Sequence, residues 1–320
     1  KDNLPLPKEE DDPDFYLSIM HSTPLWLVKR LKELFGEKEA KEIISYKNKT
    51  NTTCLRPNFM NISKEAFEEM LKNKGWEYTN GILPNAYLVK GVESIAEDAD
   101  YLSGKYSVQG QSSMLVVEAM DNKPGMYVLD ACAAPGGKAL YLAEKQQGSG
   151  RVYAWDIHNH RVDLIRSQMY RLSPGNVRVA NCDARVYRDD MYKFFDAVLV
   201  DVPCSNTGVI LDKPDVKYNL KADEMPSLLD LQADILDNCA KYVKPGGVLI
   251  YSTCSIMPEE NEQQVKKFLE NNPNFKITSF PENFPENLAR QTGDYGLQIL
   301  PHKTGLEGFF IARMVRDNEY

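Results

Sequence analysis

The chain has 320 residues, of which 42% are hydrophobic and 10% aromatic, which suits one large domain plus a smaller one around a packed core. Its formal net charge of −8 argues against a broadly basic nucleic-acid-binding surface, although a local basic groove is compatible with an acidic total. The sequence contains no apolar run near the ~18–20 residues that cross a bilayer, and its charged N-terminus lacks a signal-peptide core. We therefore expect a cytoplasmic protein without a membrane partner.

The six cysteines form neither a C-x-x-C pair nor a dense disulfide framework, so we expect reduced thiols and no bound metal. Because the chain begins at Lys1 and not at Met, we also expect that some upstream sequence has been removed. An obligate protein partner is not evident from the sequence.

The N-terminal third predicts a lead-in and a small subdomain. Residues 1–21 carry three prolines and an acidic run and are predicted to be a linker. A helix is predicted to begin at Ser22 or Thr23 and to end at Gly36. A strand, a helix from Ser63 to Gly75 and two further strands follow, which indicates a small α/β subdomain over residues 22–100.

Regular alternation of strands and helices begins at Tyr127, within a predicted catalytic domain over residues 101–320. Strands that alternate with helices predict a parallel, doubly wound sheet. A helix is expected over residues 228–243, and the last strand over residues 308–312. The other predicted strands are Tyr127–Asp130, Arg151–Asp156, Val177–Ala180, Ala197–Asp201 and Val248–Ser252.

Four polar sites follow predicted strands, at the sheet edge where ligands of such folds bind. The turn from Asp130 to Ala139 is rich in small residues and leads into a helix, so a ligand could approach its backbone. Asp156, Asp183 and Asp201 each end or follow a strand, which favours a nucleoside-bearing cofactor. A tight turn without a ligand, and aspartates that only cap turns, are the alternatives.

Two cysteines differ from the other four. Cys204 and Cys254 lie just past apolar strands, at the start of polar loops, and either thiol could be reactive. Packing is the alternative reading for both, because an apolar-flanked cysteine is usually an inert core residue. The other four are interpreted in that way: Cys54, Cys132, Cys182 and Cys239.

Taken together, D-A-C-A-A-P-G-G-K, D-x-P-C-S and S-T-C-S resemble the Sun/Nop family of S-adenosylmethionine-dependent RNA (cytosine-5) methyltransferases. The resemblance runs from Ser22–Arg30 to Gly308–Arg313 and is nearest to bacterial members that act on 16S ribosomal RNA. It implies a Rossmann-like methyltransferase domain after a small RRM-like, RNA-binding subdomain. It further implies S-adenosylmethionine as methyl donor and an unstacked cytosine as target. The N-terminal helical RNA-binding domain of close relatives is missing from this sequence.

The resemblance also implies roles for single residues. Cys254 would be the nucleophile, Cys204 would assist product release, and Asp201 would lie at the cofactor and the target base. Asp156 would hold the ribose, Asp183 would lie by the adenine, and the turn would wrap the methionine part. The residues assigned to the cofactor are Cys132, Ala133, Ala134, Pro135, Gly136, Gly137, Lys138, Asp156, Arg161, Asp183 and Asp201.

The chemistry explains why such a site needs thiols. Carbon 5 of cytosine becomes nucleophilic only after a nucleophile adds to carbon 6, and a thiolate both attacks and leaves readily. Asp201 could hold or protonate the ring at nitrogen 3, and Cys204 is the candidate base for the carbon-5 proton. The resemblance implies that the strands that end at Asp201 and Ser252 are neighbours, as in the methyltransferase version of this sheet, ~4.8 Å apart, so that their loops reach one base.

Some positions depart from the family pattern. Ala139 stands where the family usually has Thr, Asn206 where it usually has Gly, and Gly110-Gln111 where it has a more acidic pair. These departures affect the shape of the cofactor pocket and of the target loop, and not the thiol chemistry.

Two other functions are compatible with the same sequence: methylation of transfer RNA, and RNA binding by a non-catalytic ribosome-assembly factor. A binding module needs neither Cys204 nor Cys254, which favours an enzyme. Part of a local RNA surface is predicted from basic residues that could equally form an ordinary solvated helix face: Lys29, Arg30, Lys32, Lys47, Lys49 and Arg56.

Overall fold

The computed structural model describes residues 6–47, 52–211, 213–219 and 221–318. Helix α1 (Pro13–Met20) lies in the segment predicted as a linker, and the Asp12 side chain caps it by accepting the N–H groups of Asp14 and Phe15. The helical segment α2 (Leu25–Ser45) consists of two helices joined by a kink at Gly36. The φ of +75° and ψ of 166° at Gly36 end the first helix there, as predicted, and a second helix follows directly.

A four-stranded antiparallel sheet forms the small subdomain, with helix α3 (Lys64–Asn73) packed on it. Its strands lie in the order β2 (Tyr78–Asn80), β3 (Tyr87–Val89), β1 (Thr53–Pro57) and β4 (Tyr106–Val108). Strand β4 belongs to this sheet although it follows the predicted boundary at residue 100. A strand of three residues gives no period-2 signal, which is why the sequence did not reveal it.

The large sheet contains eight strands among the described residues: β5 (Tyr127–Asp130), β6 (Arg151–Asp156), β7 (Val177–Asn181), β8 (Phe195–Asp201), β9 (Val243–Thr253), β10 (Phe275–Ile277), β11 (Leu297–Ile299) and β12 (Phe309–Arg316). Their order across the sheet is β10-β12-β9-β8-β5-β6-β7, and β11 also pairs with β12. The five strands β9, β8, β5, β6 and β7 are parallel, and β10, β11 and β12 are antiparallel additions.

Helices cover both faces of this sheet, which confirms the doubly wound fold. Helices α5 (Gln111–Glu118), α6 (Gly137–Lys145) and α7 (Asn159–Leu172) share one apolar core, and α9 (Met225–Ala240) and α10 (Glu262–Asn271) share the other. Because both faces are buried, the central strands are continuous apolar runs. The short helices are α4 (Ala99–Leu102), α8 (Val216–Asn219), α11 (Glu286–Ala289) and α12 (Pro301–Thr304).

A buried ion pair joins the small sheet to the large domain. Arg56 on β1 pairs with Glu144 on α6 and donates from Nε to Gln109 at 2.8 Å. Arg56 is only 1% exposed, so its predicted place on an RNA-binding surface is wrong. An arginine near the end of a strand has the same sequence pattern whether its side chain faces solvent or a buried carboxylate.

The other basic residues predicted for the RNA surface differ in their surroundings. Arg30 pairs with Glu33 and Glu259, and Lys32 pairs with Asp14 and Glu37. Lys29 and Lys47 are exposed, whereas Lys49 lies outside the described residues. Within the described ranges, no helix is both long and apolar enough to span a membrane.

Candidate active site

Two thiols meet at the carboxyl edge of the large sheet. Strands β8 and β9 are parallel neighbours with Asp201 in register with Ser252, which confirms the predicted strand adjacency. The loops that follow them bring Cys204 Sγ and Cys254 Sγ to 3.2 Å. Two thiols from loops 50 residues apart in sequence can therefore act on one substrate atom or on adjacent ones.

Asn206 contacts both cysteines. The Cys254 thiol donates to Asn206 Oδ1 at 3.0 Å, and Asn206 Nδ2 donates to the Cys204 carbonyl at 2.9 Å. The φ of Asn206 is +57°, in the left-handed region that glycine tolerates best and asparagine better than most residues. This backbone conformation explains why the departure from Gly is accommodated here.

The electrostatics of the cysteines separate them into two groups. The hydrogen bond with Cys254, followed by burial, raises the pKa of Cys204 well above the usual thiol value. Burial also raises the pKa of Cys54 to about 12, and it raises the pKa values of Cys132 and Cys239 above the usual thiol value. Cys204 differs from these three because the largest contribution to its raised pKa comes from another thiol and not from desolvation.

A cation and a carboxylate lie directly beside the thiols. Lys138 Nζ donates to Asp201 Oδ2 at 2.7 Å, and the Ser252 hydroxyl donates to Asp201 Oδ1 at 2.7 Å. Burial alone would lower the pKa of Lys138, but the neighbouring Asp201 carboxylate raises it, so the lysine stays charged. The structure thus places Lys138, Asp201 and Cys254 on one continuous polar edge.

Sequence reasoning did not assign a role to Asp130, the last residue of β5. Neither of its carboxylate oxygens has a hydrogen-bond partner among the described residues, and the side chain is buried. Burial, together with the charge of Asp201, raises the pKa of Asp130 to about 7. The available signal was its position, because it ends a strand of the same sheet as Asp156 and Asp201 do.

The turn after β5 leaves backbone donors free for a ligand. Gly136, at a φ of +111°, precedes α6, whose first turn has no side-chain cap. Arg161 Nη2 donates to the Ala134 carbonyl at 3.3 Å, and Arg161 Nη1 lies 3.6 Å from Asp156 Oδ2. Arg161 therefore connects the turn to the predicted ribose-binding acid.

Asp183 follows the strand next to that of Asp156, and the N–H of Cys182 donates to the Asp156 carbonyl at 3.1 Å. Among the described side chains, only that of Arg185 donates hydrogen bonds to the Asp183 carboxylate, and these contacts hold the pKa of Asp183 below its usual range.

The unpartnered oxygens of Asp130 and the uncapped start of α6 fit a ligand that donates hydrogen bonds and approaches a helix N-terminus. Among the described residues, no cluster of three or more histidine, cysteine, aspartate or glutamate side chains could hold a metal.

A cleft of about 610 Å³ opens next to Cys204. Its polar lining includes Ser205, Asn206, Glu224, Arg185 and Lys221. Both basic side chains are paired with carboxylates, Arg185 with Asp183 and Lys221 with Glu224. A volume of this size accommodates a nucleotide.

Comparisons with known proteins agree with this architecture. The sequence model of the family "16S rRNA methyltransferase RsmB/F" matches residues 117–315, and that of the ferredoxin-like domain of the RsmF/B-like methyltransferases matches residues 23–92. The crystal structure of PH0851 superposes with a TM-score of 0.88 at 29% identity, covering 98% of this chain and 69% of that one.

Two bacterial relatives are similar over most of the chain. The probable ribosomal RNA small subunit methyltransferase B of Bacillus subtilis is 37% identical over 308 residues, which are 95% of this chain and 68% of that protein. The ribosomal RNA small subunit methyltransferase B of Shewanella oneidensis is 32% identical, with coverages of 93% and 68%. The chain therefore belongs to the RsmB/F, or Sun/Nop, family of S-adenosylmethionine-dependent ribosomal RNA cytosine methyltransferases.

Proposed function

We propose that this enzyme methylates carbon 5 of a cytosine in 16S ribosomal RNA through a covalent bond between Cys254 and the base. The observation that carries the proposal is the pair of thiols 3.2 Å apart beside the Asp201–Lys138 ion pair. The names of the relatives from Bacillus subtilis and Shewanella oneidensis support the small-subunit RNA as target. Transfer RNA is the alternative substrate.

Cys254, once its thiol has lost its proton to solvent, attacks carbon 6 of the ring as the thiolate and forms a carbon–sulfur bond. The displaced electron pair moves into the ring toward nitrogen 3, where Asp201 and the Lys138 ammonium hold the base and supply the proton. Carbon 5 then carries enough electron density to form the new carbon–carbon bond. S-adenosylmethionine, when bound, supplies the electrophilic methyl group for this bond.

Release reverses the addition. Cys204, as thiolate, takes the proton from carbon 5, the double bond between carbons 5 and 6 re-forms, and the Cys254 thiolate leaves. The proton on nitrogen 3 returns to the Asp201–Lys138 pair. The raised pKa of Cys204 makes its thiolate a strong base, but the thiol must first lose its own proton to solvent before it can take the proton from carbon 5.

We assign four groups to the cofactor. The turn from Cys132 to Lys138 contributes the backbone N–H groups at the uncapped start of α6, since those of Ala133 and Gly136 already donate within the protein. Asp156, with Arg161 beside it, contributes the acceptor for the ribose. We add Asp130 to the assigned set, because its unpartnered carboxylate lies at the start of this turn. Asp183 is proposed for the adenine side, where ligand binding has to compete with Arg185.

Methyl transfer from labelled S-adenosylmethionine to unmodified RNA tests the substrate. We expect label in 16S ribosomal RNA, located at 5-methylcytosine by nuclease digestion and mass spectrometry. Label found only in transfer RNA would replace the proposed substrate by the alternative, and label on any atom other than carbon 5 would contradict the chemistry.

A further inference from the structure

A fully buried carboxylate joins the two loops that carry the thiols. Glu260 is 0% exposed, and its Oε1 accepts the Ser205 N–H at 2.8 Å and the Gln232 amide at 2.9 Å. Its Oε2 accepts the hydroxyls of Ser205, at 2.5 Å, and of Ser255. Ser205 directly follows Cys204, and Ser255 directly follows Cys254, so one side chain holds the residue next to each thiol.

Hydroxyl groups extend this connection across the gap between the loops. The hydroxyls of Ser205, Thr207 and Ser255 lie within 2.9–3.1 Å of one another. Thr207 Oγ1 also accepts the Ile256 N–H at 3.1 Å, which ties the first loop to the backbone of the second. All three hydroxyl side chains are buried, so water does not compete for these bonds.

The position of Glu260 is itself fixed. Its carbonyl accepts the Tyr251 hydroxyl at 2.6 Å, and its N–H donates to the Met257 carbonyl at 3.1 Å. Within the described residues it forms no ion pair, so its partners are neutral donors. A buried carboxylate without a cation is costly compared with an apolar side chain of similar size, which indicates a role other than stability.

We propose that Glu260 is a positioning residue that sets the distance between the Cys204 and Cys254 thiols for methyl transfer. The proposal rests on the proposed function, because it gives a purpose to a spacing that the thiol mechanism requires. Four donors from two loops and from α9 converge on one rigid group, so losing the carboxylate frees both loops at once. A displacement of ~1 Å at reacting groups can lower a rate by about 10²-fold.

The test compares Glu260→Gln with Glu259→Gln. Glutamine has the shape of glutamate, but its amide N–H groups would face the Ser205, Ser255 and Gln232 groups, which themselves donate hydrogen bonds to residue 260. Glu259 is the adjacent residue of the same loop, but its side chain pairs with Arg30 of α2 and has no hydrogen bond to the described residues next to the thiols, so its substitution is a matched control. The thiol spacing is measured without RNA, by equilibrating each protein with reduced and oxidised glutathione.

In that equilibrium the two cysteine thiols and one oxidised glutathione give a Cys204–Cys254 disulfide and two reduced glutathiones. The equilibrium constant is an effective concentration of one thiol at the other, and peptide mapping after alkylation identifies the bond. We expect Glu260→Gln to lower this value at least ~10-fold and to lower kcat about 10²-fold with an unchanged KM for S-adenosylmethionine. Glu259→Gln should match the wild-type protein in effective concentration, in kcat and in KM for S-adenosylmethionine.

A wild-type effective concentration in Glu260→Gln overturns the proposal. If that variant does not fold, Ser255→Ala takes its place, since it removes one of the four donors. A smaller loss in the same direction supports the proposal, and a wild-type value contradicts it. Because the glutathione measurement involves no methyl transfer, it separates failure of this proposal from failure of Cys254 as nucleophile.

Discussion

Two ion pairs, one buried and one partly exposed, lie near opposite ends of helix α6, and they differ in how completely their polar atoms are used. In the closed pair, Arg56–Glu144, each nitrogen of the guanidinium donates to Glu144 or Gln109, and the group lies 4.3 Å over the Tyr141 ring. In the open pair, Lys138–Asp201, the charges face a polar edge with thiols on one side.

Asp130, beside the open pair, keeps both carboxylate oxygens without a partner in the described part of the chain. The closed pair therefore leaves nothing for a ligand to bind, whereas the open pair leaves acceptors and a cation at the sheet edge. An ion pair joins the small sheet to the large domain in one place, and we propose that the other ion pair contacts the substrate. The difference lies in the surrounding hydrogen bonds and not in the ion pair itself.

Breaking the closed pair should have the largest effect on stability. Arg56→Met leaves the Glu144 carboxylate buried without its cation, which we expect to lower the free energy of unfolding by ~3–5 kcal/mol. Urea denaturation measures the loss. Methyl transfer by the fraction that remains folded should stay within about twofold of wild type.

The double variant Arg56→Met/Glu144→Met is the control for this loss. Replacing a whole buried pair by apolar side chains is often nearly neutral, so the double variant should be more stable than Arg56→Met alone. A double variant as unstable as the sum of both single variants would show that the closed pair is not the unit that matters.

Breaking the open pair should instead affect catalysis. Asp201→Asn keeps the shape but removes the charge that faces Lys138, and we expect kcat to fall about 10²–10³-fold. The free energy of unfolding should change less than in Arg56→Met. Steady-state kinetics and urea denaturation on the same preparations give both numbers, and a rate near that of wild type would contradict the role of Asp201.

The pH dependence of stability tests the environment of Asp130. Its folded-state pKa of about 7 lies above the unfolded value of ~3.9, so the stability that it contributes is full below pH ~4 and is lost as pH rises toward 7. Asp130→Asn cannot ionise and should avoid this loss, which amounts to at most ~1.4 kcal/mol per pH unit. Urea denaturation at several pH values compares the two proteins, and parallel curves would contradict the raised pKa.

The smallest effect is expected at Asn206, on the thiol side of the open pair. Asn206→Gly suits the φ of +57°, whereas Asn206→Ala forces a Cβ into the left-handed region at a cost of ~1 kcal/mol. The alanine variant should therefore be less stable than the glycine variant by about that amount in thermal unfolding. Equal stability of the two would show that the loop relaxes around residue 206.

The contiguous parts of the molecule were predictable from the sequence. The turn after β5 and the strands that end at Asp201 and Thr253 are continuous runs whose period or composition is visible directly. The adjacency of Asp201 and Ser252 followed from the family sheet order and is confirmed by their register. The roles of the individual site residues remain predictions.

The parts that depend on distant contacts were not predictable. Arg56 was assigned to the surface because its partner Glu144 lies 88 residues further along the chain. The proposed role of Glu260 is not visible in the sequence, because it depends on two loops that only the folded sheet brings together. Strands β10 and β11 have three residues each, too few for a period to show.

Trapping of the covalent RNA–protein adduct tests the central claim, the order of the two thiols, most directly. Wild type, Cys204→Ala and Cys254→Ala are incubated with 16S ribosomal RNA and S-adenosylmethionine and separated under denaturing conditions. We predict that Cys204→Ala accumulates adduct, because the carbon-5 proton is not removed, and that Cys254→Ala forms none. An adduct that persists in Cys254→Ala would contradict the assignment of the nucleophile.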